Sequence, residues 1–304
     1  MRTSVLRRTL RLGAVALAMT LVLPTFPASS GAQKAQLVHI VRTSRWKKPS
    51  SDPSGLSYLG KPRVIVVVDS EVEETPHWAG KNVWFMEPGG RVVRSFKTLR
   101  YSTEPTDVAV GGRAQTMYLT DDSADEIFTV RAGPDSIWGN ADDTFTSFST
   151  RSFGSRDATG IAFGSKSLFI TDGDNVESRH RVFRLRRGPN GVFDGPAPLG
   201  DDVLSSFDTV PLGLSKPTDV FFRKESRHLF LVSADEKIIV EATLGGTLVN
   251  TWDMSHTSIK SPAGIVVAPR STDGSLASVY VSDRGVDNDT NPNENDGRIF
   301  EFAL

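Results

Sequence analysis

The chain has 304 residues, a formal net charge of -1, no cysteine, and 38% hydrophobic against 23% charged residues. This composition is globular rather than disordered, and near-neutrality lacks the basic excess of a nucleic-acid binder. Without a thiol there is no disulfide framework, no zinc–thiolate site and no cysteine nucleophile.

Residues 1–32 read as a secretory leader. Arg2, Arg7, Arg8 and Arg11 precede an apolar run from Leu12 to Leu23, then Pro24 and small residues ending Ser30-Gly31-Ala32. Charged, apolar and small-residue regions in that order are the marks of an export signal. Twelve apolar residues are too few to span ~30 Å of hydrocarbon, and no second long run follows, so membrane insertion is not expected. Cleavage after Ala32 leaves 272 residues with 31 basic and 36 acidic side chains, a charge of -5. A secreted or periplasmic location is expected, and zero cysteines in an exported chain fit a bacterial product.

From residue 33 onward the chain is repetitive. A short phrase recurs as Asp52-Pro-Ser-Gly-Leu56, Pro105-Thr-Asp-Val108, Asp157-Ala-Thr-Gly-Ile161, Pro217-Thr-Asp-Val220 and Ser261-Pro-Ala-Gly-Ile265. Each opens a short apolar strand. A second β-rich run follows, ending in a polar residue: Val64–Asp69, Met117–Asp121, Leu168–Asp172, Leu229–Ser233 and Val279–Asp283. A third, alternating strand comes next, from Asn82–Met86 in the first unit to Arg298–Phe302 in the last. A fourth completes the first four units, as in Val92–Phe96 and Thr247–Trp252. These runs are short, β-branched or aromatic, and bounded by Gly, Pro, Asn or Asp, with almost no helical periodicity outside the leader.

Anchors at positions 55, 107, 160, 219 and 264 are spaced by 52, 53, 59 and 45 residues. Four strands per unit of this length is the signature of a β-propeller blade. The fifth unit lacks a fourth strand, and Gln36–Val41 is spare before the first anchor. Pairing them closes the ring and removes the open edges. The expected fold is all-β, a single five-bladed propeller over residues 33–304. The alternatives are a six-bladed, TolB-like ring and an unclosed β-sandwich.

The repeated Pro-x-Gly-Ile and Tyr-Val-x-Asp phrases resemble the NHL-repeat and gluconolactonase/paraoxonase-like propeller superfamily. Asp69-Ser-Glu-Val-Glu-Glu74, Asp283-Arg-Gly-Val-Asp287 and Asn293-Glu-Asn-Asp-Gly297 resemble its uncharacterised secreted bacterial members. The resemblance covers residues 36–304. It implies a propeller, and for the enzymes of that superfamily a calcium in the central channel that polarises a lactone or phosphoester oxygen. The superfamily mostly has six blades, its opening Glu-Gly-Pro motif is replaced here by Asp52-Pro53-Ser54-Gly55, and only Asn175 sits where its inner-loop asparagines are expected.

In a four-stranded blade the loop after the second strand and the loop entering the next blade share one face. Acids crowd the former: Asp69, Glu71, Glu73 and Glu74; Asp121, Asp122, Asp125 and Glu126; Asp172, Asp174 and Glu177; Asp235 and Glu236; Asp283, Asp287 and Asp289. Asp52, Glu104, Asp107, Asp157 and Asp219 stand before or at the first strands, so a strongly acidic face is expected. Hard cations want six to eight oxygen ligands. The blade-five loop supplies many in ten residues, and the expected calcium ligands are Asp69, Glu71, Asp283, Asp287, Asp289, Asn291, Asn293 and Asp296. The loop opens like an EF-hand, Asp-x-Asp-x-Asn, but Pro292 stands where the turn glycine belongs. Two insertions, Gly133–Asp143 and Gly188–Asp202, share a plan of Gly-Pro-Asp/Asn, apolar residues and a closing Asp-Asp; they offer a second calcium site or simple turn-rich hairpins.

No Gly-x-Ser-x-Gly elbow, phosphate loop or His-Glu-x-x-His motif is present. Of five histidines, His39 falls in the closing strand and His228 on the far face; His77, His180 and His256 fall on the acidic face in unrelated settings. The expected function is a secreted, calcium-binding, monomeric propeller that binds a small molecule or an extracellular partner through the acidic face. The alternative is a calcium-dependent hydrolase of lactone or phosphotriester type.

Overall fold

Five antiparallel four-stranded sheets, each entered by its innermost strand, follow one another along the chain in the computed structural model, which describes residues 31–111, 115–173 and 180–303. Blade one is Pro53–Leu59, Val64–Asp69, Val83–Met86 and Val92–Phe96; blade two is Pro105–Gly111, Thr116–Asp121, Glu126–Arg131 and Thr144–Ser149. Blade three is Ala158–Gly164, Ser167–Asp172, Arg181–Arg186 and Val203–Asp208; blade four is Pro217–Arg223, His228–Ser233, Ile238–Ala242 and Leu248–Asp253. Blade five takes Pro262–Pro269, Ala277–Asp283 and Arg298–Ala303 from the end of the chain and Gln36–Arg42 from its start. The ring closes as the sequence predicts, with five blades, so the six-bladed and sandwich alternatives fall away. Gln33–Lys34 adds a short parallel strand to the outer edge of blade four, which periodicity did not reveal in two residues. The expected leader lies, apart from Gly31 and Ala32, outside the described residues, as do Asp174, Asn175 and Glu177. No described helix is long and apolar enough to cross a membrane.

The core consists of apolar layers between blades. Val66, Val68 and Phe85 of blade one meet Val108, Met117 and Leu119 of blade two. Fully buried Phe230 and Val232 of blade four likewise meet Ile265 and Phe300 of blade five. Both faces of the inner strands are covered, which is why these strands read as nearly continuous apolar runs.

The recurring phrase is explained by how each inner strand begins. In every blade the register slips by an extra residue at this point, a β-bulge, as between Pro53 and Gly55 or Pro105 and Asp107. The bulged residue is Ser54, Thr106, Thr159 or Thr218 in blades one to four. Its hydroxyl donates to the first carbonyl of the next inner strand: Ser54 to Pro105 (3.4 Å), Thr106 to Ala158 (3.4 Å), Thr159 to Pro217 (3.4 Å) and Thr218 to Pro262 (3.2 Å). Blade five has Ala263 there. Ser282 of its second strand instead donates to the second carbonyl of the next inner strand, that of Ser54, at 3.3 Å, as Thr171 does to Thr218 in blade three.

The next position in the phrase faces the axis and is Gly55, Asp107, Gly160, Asp219 or Gly264. A Cβ on Gly55 would stand 2.4 Å from the Asp107 Cα, and one on Gly160 2.5 Å from the Asp219 Cα. The two aspartates are fully buried and collect main-chain N–H groups from the whole ring. Ile161 N donates to Asp107 at 2.5 Å and Ile265 N to Asp219 at 2.6 Å; Leu56 and Val108 also serve Asp107, and Val220 serves Asp219. The two carboxyl groups hydrogen-bond to each other. Asp107 Oδ1 is buried without an N–H or hydroxyl donor, on a carboxyl group that neighbours Asp219. Burial pushes Asp107 up to about 7 and, with the neighbouring carboxylate, pushes Asp219 well above the usual range.

Because both values are raised on folding, the pair contributes stability that is full below the ordinary carboxylate range and is lost as pH rises through about 7. Chemical unfolding measured from pH 5 to pH 8.5 is expected to show this decline. Asp219→Asn, which keeps a donor toward Asp107 at every pH, should flatten it.

Candidate functional site

The acids at the ends of the second strands are structural latches. Asp69 Oδ2 accepts Asp52 N (2.9 Å) and Ser50 Oγ (2.7 Å), while Oδ1 accepts Val72 N (2.9 Å). Asp121 accepts Ser102 Oγ at 2.8 Å, Glu104 N at 3.4 Å and Ala124 N at 2.8 Å. Asp283 accepts Lys260 N (3.0 Å) and Ser261 N (2.7 Å), and Arg298 holds its other oxygen at 2.5 Å. In blade four, where Ser233 stands at this position, Glu236 takes over and accepts from Ser215 and Ser233. Each latch ties the loop entering a blade to the end of that blade's second strand.

This accounts for two of the eight expected calcium ligands, Asp69 and Asp283, whose oxygens are already in use. Glu71 and Asp287 do converge with buried Asp52, but around the guanidinium of Arg284. Arg284 Nε meets Asp52 Oδ1 at 2.7 Å, Nη2 meets Asp52 Oδ2 at 3.1 Å and also Glu71, and Asp287 lies 3.5 Å away. Asp296 pairs with Lys260 Nζ at 2.6 Å and accepts Val286 N at 3.1 Å. Asp289 and Asn293 are exposed; Asn291 Oδ1 accepts Asn293 N, and the Asn293 carbonyl meets His77 Nε2 at 3.1 Å. The protein thus supplies its own cations at the blade-five loop. Asp52 still rests above its usual value, at about 6, because burial outweighs the Arg284 charge.

A different group of carboxylates lacks such neutralisation. One oxygen each from Glu104, Asp121 and Asp122 lies within 4.8 Å of the others, at the mouth of blade two. Among the described residues no lysine, arginine or histidine forms a salt bridge to any of them. Asp122 is pushed up to about 7 by burial and by Glu104, Asp157 and Asp121; Glu104 is raised by burial and by Asp121 and Glu74. Glu73 is pushed up to about 8 by burial and by Asp69, Glu74 and Glu104. Asp122 Oδ1 and Glu73 Oε2 are buried without a hydrogen-bond donor. The expected acidic face is therefore a patch spanning blades one to three, because the blade-entry loops on the same side also carry bases such as Lys47, Lys48 and Lys97.

Asp194, Asp201 and Asp202 form a third close group inside the blade-three insertion. There Asp202 accepts Asp194 N and Gly195 N, and Asp143 accepts Gly139 N in the matching blade-two insertion. The shared Asp-Asp ending is thus a turn device used twice. Trp138 and Phe193 are buried by these hairpins, whereas Ile137 and Val192 remain exposed. Of the histidines, His228 opens the second strand of blade four with Nδ1 at 2.8 Å from Glu241, and His77 follows Glu73 and Glu74 in the blade-one loop.

Arg284 is the keystone of the blade-five loop, so Arg284→Gln leaves Asp52 and Glu71 buried without a counter-charge. Breaking a buried pair in this way costs about 3–5 kcal/mol. Urea unfolding at pH 7.5 is expected to show a loss of that size, shrinking at pH 5 as Asp52 takes up a proton.

No family model matches the chain, and no curated protein matches it. Solved structures do. The chain is similar to a luciferin-regenerating enzyme at 10% identity over 88% of this chain and 95% of that one, with a TM-score of 0.50. It is similar to nidogen in a nidogen/laminin complex at 15% identity over 90% and 97%, TM-score 0.46. A streptogramin B lyase structure aligns at 15% identity over 80% of this chain, TM-score 0.44, and this chain spans 65% of its length. These are likenesses of fold alone: the chain is a five-bladed β-propeller.

Proposed function

We propose that this chain is an exported, calcium-binding β-propeller that acts as a binding module for a small molecule or an extracellular partner. The cation site is the Glu104–Asp122 edge of the acidic patch, with Glu73 beside it; Asp121, latched to Ser102, Glu104 and Ala124, borders it without a free oxygen. The observation that carries this reading is three carboxylates within 4.8 Å of one another with no basic partner among the described residues. Two neighbouring carboxyl oxygens are buried without donors. Oxygen-only ligation of this kind suits a hard cation such as calcium, with main-chain carbonyls and water completing the shell. The blade-five loop, balanced by Arg284 and Lys260, is not needed for it. The metal-hydrolase alternative draws less support, since the axial acids Asp107 and Asp219 are engaged with main-chain N–H groups and with each other.

Thermal unfolding with calcium chloride and with chelator tests the cation site. Calcium at about 100 times its dissociation constant adds roughly 2.7 kcal/mol when only the folded state binds it. The shift is expected to vanish in Glu104→Gln/Asp122→Asn and to persist in Asp287→Asn/Asp289→Asn. Apparent affinity should rise from pH 6 to pH 8.5, because Asp122 and Glu73, raised to about 7 and 8, must release protons to bind metal. No calcium-dependent shift in the parent protein would overturn the proposal.

A further inference from the structure

A wide concavity lies at the other end of the axis from the acidic patch. It is a funnel of about 1030 Å³ lined by the inner strands of all five blades and by the loops that join first to second strands. Its floor includes Leu56 and Ile161, the residues whose N–H groups reach Asp107 from behind. Half-buried Tyr58, Phe163, Phe221 and Phe222 form much of its wall. Two of these rings are seated by glycine: a Cβ at Gly111 would strike Phe163, and one at Gly164 would strike Phe222. Leu276 stands 48% exposed at the rim.

The loops around this mouth are basic. Their described residues include Lys61, Arg63, Lys166, Lys224, Arg227 and Arg270, against only Glu225 and Asp273. Glu225 is 3.9 Å from Arg223, and Arg63 donates to the Gly274 carbonyl. Lys61 and Lys224 line the funnel, are exposed, and have no carboxylate partner among the described residues. A concave, mostly apolar wall with a few charged groups at its edge is the form of a small-molecule site, and the surplus positive charge selects the sign of the ligand.

We infer that this funnel binds an amphipathic organic anion, its apolar body against the four aromatic side chains and its anionic head at Lys61 and Lys224. The site is separate from the calcium patch and stands whether or not that patch binds metal.

The test uses 8-anilinonaphthalene-1-sulfonate as probe, followed by fluorescence on the folded protein, with thermal unfolding run on every variant. Saturable one-to-one binding is expected, displaced by dodecanoate and not by dodecanol. Lys61→Glu/Lys224→Glu should weaken it at least ~10-fold, equivalent to about 1.4 kcal/mol. Both side chains are exposed, so the variant is expected to unfold at the parent temperature. Arg94→Ala, in the smaller cavity beside Trp138 that Lys61 also touches, and Glu104→Gln/Asp122→Asn should leave binding unchanged. Three outcomes would overturn the inference: no saturable binding, equal binding by the uncharged N-phenyl-1-naphthylamine, or binding indifferent to the charge reversal. A single-stranded oligonucleotide that binds more tightly than the dye and loses binding in the same variant would overturn the small-molecule class.

Discussion

Five main-chain N–H groups pointing at a buried axis are the constraint around which this propeller is built. A buried donor left unpaired costs on the order of 1–3 kcal/mol, and the bulge that opens every inner strand creates one such donor per blade. Asp107 and Asp219 accept all five. On a ring of five, two is the largest number of positions that avoid being neighbours, and the aspartates occupy blades two and four. The other three positions have no volume for a side chain and are glycine. The two glycine blades that do adjoin, five and one, meet at the closure, where Gly264 packs against the Ser54 carbonyl and Gly55 Cα. The residue identities at the axis and the raised proton affinity of the two aspartates are thus consequences of one packing problem.

The same economy governs the acids outside the axis. A carboxylate accepts several N–H bonds without a side chain of its own to spare, so it makes a compact clasp between a loop and a strand end. Asp69, Asp121 and Asp283 do this in three blades, and Glu236 reaches the equivalent donors from three residues further on in blade four. Negative charge therefore accumulates on that side of the ring as a by-product of folding. Where a base arrives from another blade, as Arg284 does, the charge is cancelled. Around Glu104 and Asp122 none arrives among the described residues, and the carboxyl groups respond by holding protons more tightly.

Much of the architecture was legible because strand periodicity and turn residues are local. The five inner strands, the closing strand Gln36–Arg42 and the shared plan of the two insertions were all visible in short windows. The roles of individual acids were not. Asp52 and Arg284 are 232 residues apart and meet only because the ring closes, so a loop that looks like a cation site in sequence is already neutralised in space. In sequence the axial aspartates stand with the other acids of one face, since alternation with glycine at positions 55, 160 and 264 acquires meaning only once the five blades are brought round one axis. The basic mouth is hidden in the sequence for a similar reason. Lys61, Lys166 and Lys224 sit in three separate turns of two to four residues, and no one turn stands out.

The separation of the two features along the axis bears on what kind of protein this is. A metal-assisted hydrolase needs its cation, nucleophile and substrate in one concavity, with the metal touching the reacting oxygen. Here the uncompensated carboxylates stand at the end where inner strands begin, and the funnel opens where they end. Between them lies the axial ring, packed so tightly that no Cβ fits at three of its five positions. A ligand resting on Leu56 and Ile161 could not reach a cation held by Glu104 and Asp122 without dismantling the hydrogen bonds that join the blades. The ring thus offers two independent surfaces, an acidic one where the inner strands begin and a basic, aromatic-walled one where they end.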